Sequence, residues 1–104
     1  MIVKLLRHKF GAIPTVVDDI KFSSKKESKR YLQLKTLKDA GKIIFFLRQV
    51  PFHLPGNGKY VCDFLIFWED GVVTIEDVKG FKTEVYKTKK KIVEAIYPIK
   101  ITEV

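Results

Sequence analysis

The chain has 104 residues, of which 46% are hydrophobic and 31% are charged, with a formal net charge of +8 and a pI of about 9.6. The apolar fraction excludes a disordered chain, and no run approaches the roughly 18 apolar residues that a membrane span needs. The basic balance favours a polyanionic partner, with nucleic acid first and an anionic membrane second. We therefore expect a single domain over residues 1–104 that crosses no membrane.

Cysteine usage indicates the compartment. The single cysteine, Cys62, cannot form an internal disulfide, which fits a reducing, intracellular and cytoplasmic setting. One cysteine and two histidines also argue against a structural zinc site. The first residues, MIVKLLRHKFGAIP, are too charged for a signal peptide, and their apolar part is too short.

The first half of the chain predicts a strand, a tight bend and a helix. Residues 2–6 alternate weakly like a short strand, and residues 15–22 predict a hairpin with two aspartates at its turn. Residues 24–40 predict a helix, because Ser24 and Glu27 match the capping-box pattern. The apolar stripe of that helix consists of Tyr31, Leu34 and Leu37.

The second half predicts three strands, a helix and a final strand. β-Branched and aromatic residues indicate the strands, and Thr83 can cap the helix. The expected elements are strands 43–52, 60–68 and 72–79, a loop 54–59, a helix 84–97 and a strand 99–104. The expected inner stripe of this helix is Val85, Ile92, Val93 and Ile96. The pattern predicts an α/β fold with a mixed sheet, in which a helical crossover joins two parallel strands.

The strongest sign of chemistry is a pair of aspartates at mirror-image positions in a predicted hairpin. If residues 69–71 form a three-residue loop, Asp63 faces Asp77 across the ladder, and Lys79 points the same way. Like charges directly opposite destabilise a sheet unless a cation lies between them, and carboxylate oxygens suit a divalent metal. A two-residue loop would separate the two acids. The alternative is that the two aspartates lie on edge strands, where they face water or pair with lysines.

Four other residues lie around the hairpin, and some of them have competing interpretations. Glu27 lies on the helical stripe that faces the sheet, so it could reach a metal there, although its capping role is equally supported. Glu76 points to the opposite face and is expected to be solvated or salt-bridged. Cys62 is expected to be a core thiol. Gln49 is a possible polar neighbour of the site, although such a residue more often only satisfies the backbone.

Basic residues form two groups around the acidic hairpin. As groups they suit phosphate contacts, which position a duplex without reading its sequence. Solubility is the simpler explanation for any single lysine. The first helix carries Lys25, Lys26, Lys29 and Arg30, and the second carries or adjoins Lys82, Lys87, Lys89, Lys90 and Lys91.

The combination of Glu27, Asp63 and the tripeptide Asp77-Val78-Lys79 resembles the PD-(D/E)xK nuclease superfamily. Three segments, FSSKKESKRYLQLKTLKDAGKI, YVCDFLIFWEDG and IEDVKGFKTEVYKTKKK, are similar to small, mostly phage-encoded proteins related to Holliday junction resolvases. The resemblance covers nearly the whole chain and implies a restriction-endonuclease-like core with the order αβββαβ. The proline of the motif name is absent, because a cysteine precedes Asp63.

The resemblance implies a role for each matching residue. Asp63 and Asp77 would bind Mg²⁺ or Mn²⁺ with the Val78 backbone carbonyl, Glu27 would complete the metal site directly or through water, and Lys79 would help to activate the attacking water. We therefore expect a metal-dependent DNA endonuclease that acts on branched duplex DNA as a homodimer, without any small-molecule cofactor. The alternatives are a non-catalytic DNA-binding module that keeps this fold, and a binder of anionic membranes, which helix 84–97 fits poorly.

Overall fold

The described residues form a four-stranded mixed sheet accompanied by two helices and a small hairpin. A computed structural model describes residues 15–104, so the strand predicted over residues 2–6 lies outside the described residues. The elements are β1 (Thr15–Val17), β2 (Ile20–Phe22), α1 (Lys25–Asp39), β3 (Ile43–Leu54), β4 (Gly58–Trp68), β5 (Val73–Asp77), α2 (Glu84–Ile96) and β6 (Ile101–Glu103).

The order of the strands matches the prediction. The sheet runs β3-β4-β5-β6, with antiparallel pairs except for β5 and β6, which are parallel across α2. The predicted α/β class and the order αβββαβ of a restriction-endonuclease-like core are thereby confirmed. β1 and β2 form the predicted hairpin, and its turn residues Asp18 and Asp19 have φ values of 53° and 62°. Aspartate tolerates this left-handed region better than most residues do.

Both helices begin at the predicted capping residues. The Ser24 hydroxyl accepts a hydrogen bond from the Glu27 backbone N–H at 3.2 Å, and the Thr83 hydroxyl accepts one from Tyr86 at 3.1 Å. Each bond satisfies a backbone donor that the first helical turn leaves free. Gly41, with a φ of 80°, follows the end of α1, where glycine commonly ends a helix. Neither helix in residues 15–104 is both long and apolar enough to cross a membrane.

The connection between β3 and β4 is shorter than the sequence predicted. The predicted loop 54–59 is wrong at both ends, because only residues 55–57 separate the strands. The composition of this segment resembles a loop, but Gly56 adopts the positive φ, 78°, that so tight a turn requires. Pro51 lies inside β3, which is an edge strand, and proline is tolerated in strands at such edges.

Two buried cores share the sheet, and β4 contributes to both. Phe64 and Ile66 pack in the core of α1, whereas Tyr60 and Cys62 pack in the core of α2. The strand therefore changes cores at Asp63. The buried thiol of Cys62 confirms the prediction for this residue. The first core consists of Phe22, Tyr31, Leu34, Ile43, Phe64 and Ile66, and the second of Tyr60, Cys62, Ile75, Tyr86, Val93 and Ile101.

The inner face of α2 differs from the predicted stripe. Tyr86 and Val93 are buried, but Val85 is 65% exposed and Ile96 is 50% exposed, so the prediction is wrong for these two residues. Tyr86 and Val93 are seven residues apart and lie on one face, whereas Val85 is rotated from Tyr86 by about 100° around the helix. The burial of Tyr86 thus turns Val85 towards solvent.

A buried ion pair ties α1 to β5. Glu76 points away from Asp77, as predicted, and both of its oxygens accept hydrogen bonds from Arg30, each at 2.7 Å. The Glu76 side chain is 6% exposed and that of Arg30 is 22% exposed. Bidentate pairs of this kind combine strength with a fixed geometry.

Replacing Arg30 with methionine should lower the free energy of unfolding by about 3 kcal/mol, because Glu76 would stay buried without its partner. The measurement is urea denaturation at pH 7. The double variant Arg30→Met/Glu76→Gln should recover most of this loss. Lys29→Met, an exposed neighbour on α1, is the control and should change stability by less than about 0.5 kcal/mol. Equal losses in Arg30→Met and Lys29→Met would contradict the structural role of the pair.

Candidate active site

The register of the β4–β5 hairpin brings Asp63 and Asp77 to the same level of the sheet. Phe64 pairs with Glu76, and the next position along this ladder aligns Asp63 with Asp77. Residues 69–71 form the connecting loop, so the predicted three-residue loop is confirmed and the two-residue alternative is wrong.

Asp63 accepts one hydrogen bond on each carboxylate oxygen. Its Oδ2 atom accepts from the Val78 backbone N–H at 2.7 Å, and its Oδ1 atom accepts from the Gln49 side-chain amide at 3.1 Å. The first bond brings the peptide unit after Asp77 to the site. The second joins the edge strand β3 to the hairpin.

Asp77 is the most buried carboxylate of the site, at 1% exposure. Its Oδ2 atom accepts a hydrogen bond from the Tyr60 hydroxyl, and its Oδ1 atom lies 3.3 Å from Lys79 Nζ. Burial first and the neighbouring Asp63 second raise the pKa of Asp77 to about 6, although Tyr60 and Lys79 act in the opposite direction. The charged form of Asp77 is therefore costly unless a cation compensates it.

Glu27 joins the site from α1. Its carboxylate accepts hydrogen bonds from Ser23 Oγ at 2.8 Å and Gln49 Nε2 at 3.2 Å, and Arg48 Nη2 is 4.0 Å away. Burial raises the pKa of Glu27, and the charge of Asp63 raises it further. The backbone N–H of Glu27 takes part in the helix cap while its side chain faces the hairpin, so both interpretations from the sequence are compatible.

Lys79 lies between an acid and an aromatic ring. Its Nζ atom is 3.3 Å from Asp77 and 4.4 Å from the centroid of the Tyr86 ring, which confirms that Lys79 points the same way as Asp77. The Tyr86 hydroxyl in turn donates to Glu103 Oε2 at 2.8 Å. These contacts confine the ammonium group, and the attraction to the face of Tyr86 contributes on the order of 1 kcal/mol.

The basic group on α1 adjoins the site. Lys26 Nζ donates to the Lys79 carbonyl at 3.0 Å, and Arg30 is occupied by Glu76. Its two other lysines are exposed and have no ion-pair partner among residues 15–104. They are Lys25 and Lys29.

The basic group around α2 is largely bound to acids. Lys82 and Lys90 pair with Glu103 at 2.9 and 3.2 Å, and these contacts, with the Tyr86 hydroxyl, lower the pKa of Glu103 to about 2. Lys87 pairs with Glu84 at 3.2 Å on the surface. Within the described part of the chain, two lysines of this group lack an ion pair. They are Lys89 and Lys91.

The structure adds several neighbours to the site, and the sequence had indicated only Gln49 among them. Strand parity alone separates Tyr60 from Asp77, yet their side chains meet because β4 changes cores at Asp63. Gln49 contacts two acids rather than only the backbone. The remaining additions are Ser23, Arg48 and Tyr86.

The donor set suits a hard divalent cation. Glu27, Asp63 and Asp77 supply carboxylate oxygens, which Mg²⁺ and Mn²⁺ accept. The pKa values of Glu27 and Asp77 are raised by burial first and by the charge of Asp63 second. In residues 15–104, no three His, Cys, Asp or Glu side chains form a closed ligand cluster. The fit therefore rests on the chemistry of the donors and on their burial.

Comparison with known proteins adds one match. A family model described as "Protein of unknown function (DUF1064)" matches residues 7–103. No curated protein matches the sequence. The matched range contains Glu27, Asp63, Asp77 and Lys79, so the whole candidate site lies within it.

In the absence of metal, the protein should be less stable at pH 7.5 than at pH 4.5, by on the order of 2 kcal/mol. Asp77 has a pKa of about 6 when folded and about 4 when unfolded. The contribution of Asp77 to the free energy of unfolding is therefore fully present below pH 4, and it is lost as the pH rises through 6. The measurement is urea denaturation in EDTA. Asp77→Asn should remove most of this pH dependence, whereas the exposed control Glu69→Gln should keep it. If the unfolding free energy of Asp77→Asn depended on pH as that of the wild type does, the raised pKa of Asp77 would be refuted.

Proposed function

We propose that this chain, which belongs to the DUF1064 family of proteins of unknown function, is a metal-dependent endonuclease that hydrolyses phosphodiester bonds in DNA. The observation that carries the proposal is the convergence of Glu27, Asp63 and Asp77 beside Lys79. The same residues carry the resemblance to the PD-(D/E)xK nucleases.

A purely structural explanation leaves the negative charge of the site unexplained. Buried carboxylates are costly, and like charges raise one another's pKa. Asp63 and Asp77 interact directly, and Asp63 also acts on Glu27. The nearby cations are Lys79, at 3.3 Å from Asp77, and Arg48, at 4.0 Å from Glu27. A bound divalent cation would supply the missing positive charge.

Each residue of the site has a role in this proposal. Asp63, Asp77 and Glu27 would hold Mg²⁺ or Mn²⁺ through their oxygens, together with the Val78 carbonyl. The cation, when bound, neutralises phosphate charge and makes water a better nucleophile. Lys79, whose side chain is 28% exposed, can donate a hydrogen bond to a phosphate oxygen and orient the attacking water. No small-molecule cofactor is needed for this hydrolysis.

DNA is the proposed substrate because the acidic site lies within a strongly basic molecule. The net charge is +8, and Lys26 reaches the backbone of Lys79 itself. Branched duplex DNA is favoured by the resemblance to Holliday junction resolvases, and a homodimer would allow two strands to be cut. We propose an intracellular, cytoplasmic location, because the one cysteine is a free, buried thiol.

A non-catalytic DNA-binding module is the second candidate, because the same basic groups would serve it. Buried acids near the phosphate would oppose binding in such a module, and they would have no other use. A panel of four-way, flapped, nicked and linear DNAs with Mg²⁺ or Mn²⁺ separates the two candidates. Product lengths would locate the cuts relative to the branch point. A wild-type protein that binds these DNAs without cutting any of them would favour the binding module.

Asp77→Asn should reduce Mg²⁺-dependent cleavage by about a thousandfold or more, because a ligand interaction worth several kcal/mol in the transition state is lost. DNA binding in EDTA should change little. The measurements are single-turnover cleavage of a labelled branched DNA and a gel-shift assay on the same substrate. Glu69→Gln makes the same chemical change at an exposed acid and should cut at the wild-type rate. Wild-type cleavage by Asp77→Asn would reject the proposed mechanism.

Lys29→Gln should weaken DNA binding about equally on all sequences and reduce the slope of log affinity against log salt by about one. Lys29 is exposed on the same helix as Lys26, next to the site. Lys38→Gln, about 14 Å further along α1, is the matched control and should leave the slope unchanged. Binding titrations at several salt concentrations provide the measurement. Identical slopes for the two variants would exclude phosphate contact by Lys29.

A further inference from the structure

Gln49 has a strained backbone within a regularly paired part of β3. Its φ is 53°, whereas the ladder pairs on either side, Arg48 with Phe64 and Val50 with Cys62, keep one register. A non-glycine residue in this left-handed region is energetically unfavourable. The contacts of the Gln49 side chain offer a compensating interaction.

The Gln49 amide bridges two acids from different elements. Its Nε2 atom is 3.2 Å from Glu27 Oε2 and 3.1 Å from Asp63 Oδ1. An amide nitrogen carries two N–H groups, so one can serve each carboxylate. The positive end of the amide dipole thus lies between two acids that repel each other, where a cation would also be stabilised.

A cation held by Glu27 and Asp63 would repel the N–H groups of Gln49. The terminal amide torsion is soft, and its rotation exchanges Nε2 for Oε1 at nearly the same position. Gln49 is exposed, so this rotation needs no repacking of either core. Side-chain amide carbonyls are oxygen ligands of the kind that hard divalent cations accept.

We propose that Gln49 is a metal ligand of the site: its Nε2 atom bridges Glu27 and Asp63 without metal, and its amide turns to present Oε1 when a cation binds. This inference rests on the proposed metal-dependent function. It adds a neutral donor from β3 to the acids of α1, β4 and β5. The cation would then draw four elements of the fold together.

Isosteric variants of Gln49 test this role by metal binding alone. Gln49→Met keeps the size and removes the amide, and it should lower Mn²⁺ affinity by about tenfold in calorimetric titration of the DNA-free protein. Gln49→Glu keeps an acceptor oxygen and adds charge, and it should raise the affinity by at least a similar factor. The melting temperature of Gln49→Glu in EDTA should fall below that of wild type and recover with Mn²⁺.

Opposite responses would overturn the proposal. If Gln49 only separates the two acids, its amide competes with the ion, so Gln49→Met would bind Mn²⁺ more tightly than wild type. Unchanged affinity in both variants would also exclude a ligand role. Gln33→Met, on the exposed side of α1, is the control and should bind as wild type does.

The titration separates this inference from the proposed function. A wild-type protein that binds Mn²⁺ with the predicted order of variants but cuts no DNA would support the ligand and reject the nuclease. Cleavage by a wild-type protein whose Gln49 variants bind normally would reject only the ligand. Absence of Mn²⁺ and Mg²⁺ binding in the wild type would reject both.

Discussion

The repulsion between Asp63 and Asp77, two acids at one level of a hairpin, is the constraint on which the rest of the site depends. Each of their four oxygens contacts a donor or a cation from the protein: the Gln49 amide, the Val78 N–H, the Tyr60 hydroxyl and the Lys79 ammonium. These groups come from the edge strand, from the inner hairpin and from the segment after β5. Every oxygen of the two acids thus has a partner, yet the raised pKa of Asp77 shows that burial still makes its negative charge costly.

The change of cores along β4 explains how both helices reach these acids. Residues on one side of Asp63 pack with α1, and residues on the other side pack with α2. Glu27 can therefore approach from the first helix, and Tyr86 can support Lys79 from the second. A sheet with a single core would present the hairpin to only one of them. The site is formed at the boundary between the two cores.

Much of the fold follows from local patterns, because turn length and strand period determine register. The 69–71 turn gave the alignment of Asp63 with Asp77, and parity gave the opposite directions of Glu76 and Lys79. The loop 54–59 was wrong because glycine and proline also occur in tight hairpin turns. Tyr60 was missed because strand parity assumes that one face of a strand packs in the same core along its whole length. Val85 was wrongly placed in the core because the spacing of apolar residues alone does not determine which face of a helix is buried. The metal, the DNA substrate and catalysis stay predictions.

Because β4 belongs to two cores, its position also affects how the domain unfolds. A strand that belongs to both cores couples them, because loosening either one removes part of the support of the same strand. The domain is therefore expected to unfold as one cooperative unit, without a stable half in which one helix stays docked. Val93 and Leu34 are each fully buried, in different cores. A substitution that disrupts the packing of either residue would therefore disturb the surroundings of Asp63 and Asp77 to the same extent. Tolerance of substitution is then set by burial in either core more than by distance from the acids.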